Sequence, residues 1–159
     1  MIQRVQTLFL LGAILLIALA DTNFFPFASL IHGISPNDSN YNEYRDGIYA
    51  MTDNKALFIL SNCVIIALLN AIFLFKNRKK QIGIAVLGNI LLGFLIAGAA
   101  YFSKDAATHL LSETNGAVPE IKINIIPYAI LIAALALIGL AVYYIRKDEK
   151  LVRSADRLR

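Results

Sequence analysis

Residues 56–102 read ALFILSNCVIIALLNAIFLF, then KNRKKQ, then IGIAVLGNILLGFLIAGAAYF. The first block, Ala56–Phe75, holds twenty residues without a charge, and the last, Ile82–Phe102, holds twenty-one. At 1.5 Å per residue each makes a helix of about 30 Å, the thickness of a bilayer's hydrocarbon core. Between them Lys76, Arg78, Lys79 and Lys80 crowd a short turn. Two apolar spans joined by so short a connection can only run antiparallel, so the centre of the chain reads as a membrane helical hairpin.

The same pattern recurs on either side. Ile2–Ala20 and Ile125–Ile145 are also long apolar windows, and the only charge in all four is Arg4. Over the 159 residues 58% are hydrophobic and 16% charged, against roughly 45–50% and 25% in soluble domains. Both the excess and its segregation exclude a soluble globular domain, a disordered chain and a nucleic-acid-binding domain with its own core; nucleic acid is an unlikely partner. The expected fold is an all-α membrane protein, a four-helix transmembrane bundle over residues 1–145 (helices about 2–20, 56–75, 82–102 and 125–145), followed by a basic tail, 146–159. Met1–Arg4, Leu8–Ala20 and the small-residue pattern Ala18-Leu19-Ala20 also have the order of a cleavable signal peptide; a retained first helix is expected.

Basic residues set orientation. Arg4, the four of the central turn and the six of the tail, Arg146, Lys147, Lys150, Arg153, Arg157 and Arg159, make eleven of fifteen. Four spans place all eleven on one side. Asp21–Asn54 carries five acids against Arg45 alone, and Ser103–Asn124 three acids against two lysines. Parity and charge therefore agree on cytoplasmic termini, with both long loops outside. The first outer loop, residues 21–55, is too long for plain linker and should hold structure of its own. Ala28–Ile34 and Gly47–Met51 look strand-like around the turn formers Ser35–Asn40, and Glu120–Ile125 alternates, so a small extracytoplasmic β-sheet formed by the two outer loops is expected. Ser103 should cap or continue a helix to about Glu113, and Pro127 should sit near the start of the last helix, where its missing N–H does least harm.

No ionisable group lies at depth in the four windows, which is where a transport path or proton relay would place one. The polar residues there are Ser61, Asn62, Asn70 and Asn89, with Gln6 and Thr7 near the cytoplasmic end. Depth counting puts Asn70 and Asn89 at roughly 8 and 10 Å from the inner surface, so they are expected to bond across the hairpin as packing groups, while Asn62 has no obvious partner. The small residues Ala85, Asn89, Gly93 and Ala97 at four-residue spacing, and Ala129, Ala133 and Ala136, should let neighbouring backbones approach.

Chemistry has little to work with. Cys63 is the only cysteine, which excludes an internal disulfide, a dithiol active site and a thiolate zinc centre. His32 and the acids Asp38, Glu43, Asp46 and Asp53 follow neither calcium-loop nor paired-histidine zinc spacing. No nucleophile motif, phosphate-cradling loop or dinucleotide fingerprint occurs. No catalytic residue, metal site or cofactor is expected.

The tail, RKDEKLVRSADRLR, is the most patterned soluble piece. Glu149 and Arg153 are spaced i,i+4, and Leu151, Ala155 and Leu158 share a helical face. Six bases near a bilayer also fit anionic lipid, but three interleaved acids weaken a purely electrostatic role, so Leu151, Arg153, Ala155, Arg157 and Leu158 are read as a docking face. Together with the opening MIQRVQTLFLL, the ending YIRKDEKLVRSADRLR resembles, over the whole chain, a family of small four-helix membrane proteins from one phylum of Gram-negative bacteria, a domain of unknown function. The resemblance implies a bacterial inner-membrane protein and brings no activity with it. The expected function is a non-enzymatic accessory or scaffold subunit of a larger assembly, with lipid, other membrane or cytoplasmic proteins and possible homo-oligomers as partners. The alternative is a small transporter with a polar path at Asn62, Asn70 and Asn89.

Overall fold

The computed structural model describes residues 2–30, 48–75, 77–113 and 121–156. Four helices make up most of it: α1 (Ile2–Ala20), α2 (Lys55–Phe73), α3 (Arg78–Glu113) and α4 (Ile126–Asp156). Three of them contain stretches long and apolar enough to cross a membrane, Lys55–Phe73, Arg78–Asp105 and Ile126–Val152; α1 has 19 residues, as many as α2. Two helices, α2 and α3, start where the preceding asparagine satisfies free amides of the first turn. Asn54 Oδ1 accepts from the amides of Ala56 and Leu57 at 3.0 and 3.3 Å. Asn77 Oδ1 accepts from Lys80 N at 3.3 Å. Pro127 is the second residue of α4, a position with no intrahelical amide bond to lose.

Packing runs α1 on α4, α4 on α3, α3 on α2 and α2 on α1, a closed ring of neighbours. The buried seams repeat at alternating steps of three and four: Leu10, Ala13, Ile17 and Ala20 on α1; Leu57, Ser61, Val64, Leu68 and Ala71 on α2; Leu131, Ala134, Ile138, Ala141 and Ile145 on α4. A 3.5-residue period is that of helices packed at a shallow angle in a bundle. Within lipid this seam is held by close van der Waals fit, since hydrocarbon outside is as apolar as leucine inside. The fit is tightest at two glycines of α3: a Cβ on Gly88 would meet Leu68 Cδ2 at 3.1 Å, and one on Gly98 would meet Leu57 Cδ2 at 3.1 Å.

The small residues expected to carry this contact are a different set. Gly93 has nothing within 4 Å of a built Cβ, and Ala97, Ala129, Ala133 and Ala136 are exposed. Only Ala85 of that group lies in the seam. Four-residue spacing identified ridges but not which way they face, and the 3.5-residue seam passes one position away.

Where α1 and α3 end and α2 and α4 begin, three short strands close the bundle: β1 (Ala28–Leu30), β2 (Ile48–Tyr49) and β3 (Ile121–Ile123), in the order β2-β1-β3. Both pairings are antiparallel, with Ala28 opposite Tyr49 on one side and Ile123 on the other. The sheet expected from the two long loops is therefore present; of the expected segments, Ile31–Ile34, Gly47 and Glu120 lie outside the described residues. Phe27 extends the pairing, donating to Tyr49 O at 2.8 Å and accepting from Asn124 N at 3.0 Å. Its fully buried ring meets Tyr128 of α4 edge-on, centroids 5.0 Å apart, which fastens the sheet to the bundle. As expected, α3 continues unbroken past Ser103 to Glu113, and α4 continues past Ile145 through most of the tail.

Candidate functional site

Three polar layers lie along the bundle. At the sheet end, Ser61 Oγ donates to Asp21 Oδ2 at 3.0 Å, joining the exit of α1 to α2. Asp21 is held up at about 6 because burial penalises its charge, an effect the Ser61 bond offsets only in part. Its other oxygen, Oδ1, is buried with no bond. The residues following α1 also sit at the negative end of that helix's dipole, which adds to the cost of a carboxylate. Nearby, Ser103 Oγ and Tyr128 Oη lie 2.8 Å apart and tie α3 to α4.

The middle layer contains the asparagines. Asn62 Nδ2 donates to Phe58 O at 2.8 Å and Asn70 Nδ2 to Ile66 O at 2.9 Å, each on its own helix. Asn89 Oδ1 is buried with no hydrogen-bond partner. The bond expected between Asn70 and Asn89 is not formed, for two reasons. Leu68 packs at Gly88 and Leu57 at Gly98, a register that sets Asn89 opposite Ile66 and Ala67, about one turn from Asn70. Asn70 also lies two residues past Leu68, about 200° around the helix from the seam, and is exposed. Equal depth was readable from the sequence; helix phase was not. Of the polar residues in the second window it is Ser61, and not Asn62, that finds a cross-helix partner. The cue was the position of Asp21, directly after the first apolar window and level with the early part of the second.

The third layer is at the opposite end. Gln6 and Gln81 are buried at 4% and 5% exposure, facing inward from α1 and α3. Arg78 Nη1 lies 2.8 Å from Asp148 Oδ2, an ion pair between the start of α3 and the extension of α4, although Nη1 is not aligned for a hydrogen bond. Beside it, Tyr143, Arg146, Lys147 and Lys150 line an open groove of about 360 Å³. Of the expected docking residues, Leu151 is 52% exposed. Arg153 and Ala155 lie on α4, while Arg157 and Leu158 lie outside the described residues. Among the loop acids, Asp53 Oδ2 accepts from Ala50 N at 2.7 Å; His32, Asp38, Glu43 and Asp46 also lie outside the described residues.

Residues 2–158 match the model of DUF4293, a domain of unknown function. The chain belongs to this family. Neither the curated proteins nor the solved structures contain a match. For this DUF4293 member the polar geometry is that of fastening: the contacts tie the exit of α1 to α2 and tie α3 to α4 at both ends, and the buried atoms left without a bond, Asp21 Oδ1 and Asn89 Oδ1 among them, belong to separate side chains.

Proposed function

We propose that this protein is a non-enzymatic accessory or scaffold subunit of a larger assembly in the bacterial inner membrane. All four helices span, α1 included, both termini are cytoplasmic, and the sheet is extracytoplasmic. The observation that carries the reading is the extension of α4. It runs as helix to Asp156, eleven residues beyond Ile145, and presents Leu151 and Val152 at 52% and 43% exposure among charged residues. Large apolar side chains beyond the charged residues Arg146–Lys150, on a continuous helix braced to α3 by Arg78–Asp148, are what a docked protein would cover.

Affinity purification from native membranes tests it, comparing the full-length chain with one ending at Ile145. Partners lost on truncation, and lost again when Leu151 and Leu158 are changed to serine with all charges kept, support docking. Partners that persist in the serine variant and vanish only when Arg153, Arg157 and Arg159 are neutralised would replace it with a charge-based role. The transporter alternative draws less support, because Asn62 and Asn70 spend their amide donors on their own helices.

A further inference from the structure

Among the described residues, the groove is lined by one side of α4. Tyr143, Arg146, Lys147 and Lys150 follow at i, i+3, i+4 and i+7, which places them within about 100° of arc and about 10 Å of rise. Arg146, Lys147 and Lys150 are exposed and make no ion pair with the described residues. The two acids between these cations lie off the arc: Asp148 points about 150° away from its centre and is engaged by Arg78 of α3, and Glu149 about 110° away. The tyrosine at the lower end is fixed: its ring meets Tyr144 edge-on at 5.6 Å, and Tyr144 stacks on Phe9 of α1 at 5.6 Å. Three cations therefore stand together over a rigid aromatic wall, where the apolar part of α4 gives way to its charged part.

Along the same side of α4, toward the membrane interior, Ala136 and Gly139 are exposed, and a Cβ built on Gly139 meets nothing within 4 Å. Ala136 and Gly139 leave a shallow track just below Tyr143, bounded on the far side by the exposed Ile132. We infer that this side of α4 binds one anionic phospholipid, its phosphodiester held by Arg146, Lys147 and Lys150, its glycerol region at Tyr143 and an acyl chain along the alanine–glycine track. A volume of about 360 Å³ is at the lower end of the range for small-ligand sites, roughly 300–1,000 Å³, and suits a headgroup whose chains lie outside it. Charge complementarity selects the anionic lipids, and the track selects a lipid over a free anion. The docking face of the tail, centred on Leu151, is about 90° around the helix, so the two inferences stand or fall separately.

The full-length protein in neutral detergent is titrated with phosphatidylglycerol, with phosphatidylcholine of the same chains, and with glycerol phosphate, and bound lipid is read by native mass spectrometry. One phosphatidylglycerol should bind at least tenfold more tightly than phosphatidylcholine, and glycerol phosphate at equal concentration should not displace it. Arg146→Gln, Lys147→Gln and Lys150→Gln together should remove that preference, whereas Glu149→Gln, which changes net charge off this face, should leave it unchanged. Equal binding of the two lipids overturns the inference, as does a Glu149→Gln effect as large as that of the triple variant. Displacement by glycerol phosphate would make it a free-anion site. Should the triple variant fail to insert, the wild-type titration decides alone.

Discussion

Asp21 shows how one residue sets a condition on the whole bundle. Its carboxyl titrates at about 6, above the ordinary 3.8, because burial outweighs the bond from Ser61. The unfolded chain therefore ionises first as pH rises, and between about 4 and 6 the folded state binds the extra proton. Stability is accordingly greatest at the acidic end of that window and falls as pH rises through 6, reaching a constant deficit above it. Because the group is only partly buried, that deficit is discounted to about 1 kcal/mol. Asp21→Asn should raise the melting temperature in detergent at pH 8, leave it nearly unchanged near pH 4, and flatten the profile between. A variant less stable than wild type at pH 8 would mean that the carboxylate is a net benefit. Ser61→Ala, which leaves Asp21 without its donor, should cost about 1 kcal/mol, and more at pH 8 than at pH 4, because that bond favours the ionised carboxyl. By contrast Asn70→Leu, which loses only a bond to its own helix, should move stability by less than about 0.5 kcal/mol.

Among the elements, α3 offers the sharpest contrast. Gly88 and Gly98 lie against leucines of α2, while Gly83 and Gly93 face open space. Gly88→Val should force Leu68 from its place and cost about 1–3 kcal/mol, and Gly93→Ala should be neutral or stabilising by up to about 1 kcal/mol through helix propensity. Unfolding midpoints in mixed detergent check both, and equal effects at the two sites would mean that α2 and α3 are not packed as described. That contrast also marks what the sequence made legible. Helix existence, order and approximate ends were plain, because some twenty uncharged residues in a row have few alternatives in water or lipid. So was the sheet, since alternation at Glu120–Ile125 is a local signal. Which side of each helix faces inward was not plain: windows that are apolar all round carry almost no periodic contrast between seam and surface. The polar contacts were hidden for the same reason. Ser61 could be matched to Asp21, and Arg78 to Asp148, only once the register of α1 against α2 and of α3 against α4 was known. The groove at Tyr143–Lys150 was visible as charge but not as one face clear of Asp148.

For the molecule as a whole, the open question is whether α1 crosses with the others. It has 19 residues, Ile2–Ala20, as many as α2, about 28 Å at 1.5 Å per residue, and by itself lies near the short end for a span. It is not by itself, however. Phe9 stacks on Tyr144 near one end of α4, a Cβ on Gly12 would touch Leu137 at 3.3 Å, and Asp21 reaches Ser61 near the start of α2. These contacts run α1 antiparallel to α4 over nearly its whole length, so a membrane that encloses α4 encloses α1. The hydrophobic mismatch of a few ångströms is small beside the cost of lifting so apolar a helix off its neighbour. Three single cysteines in a Cys63→Ser background separate the alternatives in intact cells, using a membrane-impermeant thiol reagent. Asn77→Cys, between α2 and α3, should be shielded, and Asn40→Cys, in the first long loop, should label. Those two fix the direction of α2 but say nothing of α1. Gln3→Cys does: shielded, it sits with Asn77 and α1 crosses; labelled, it sits with Asn40, and three helices span while α1 lies on the outer side. The packing of α1 along α4 predicts the first pattern, with Gln3 and Asn77 shielded together and Asn40 alone reacting.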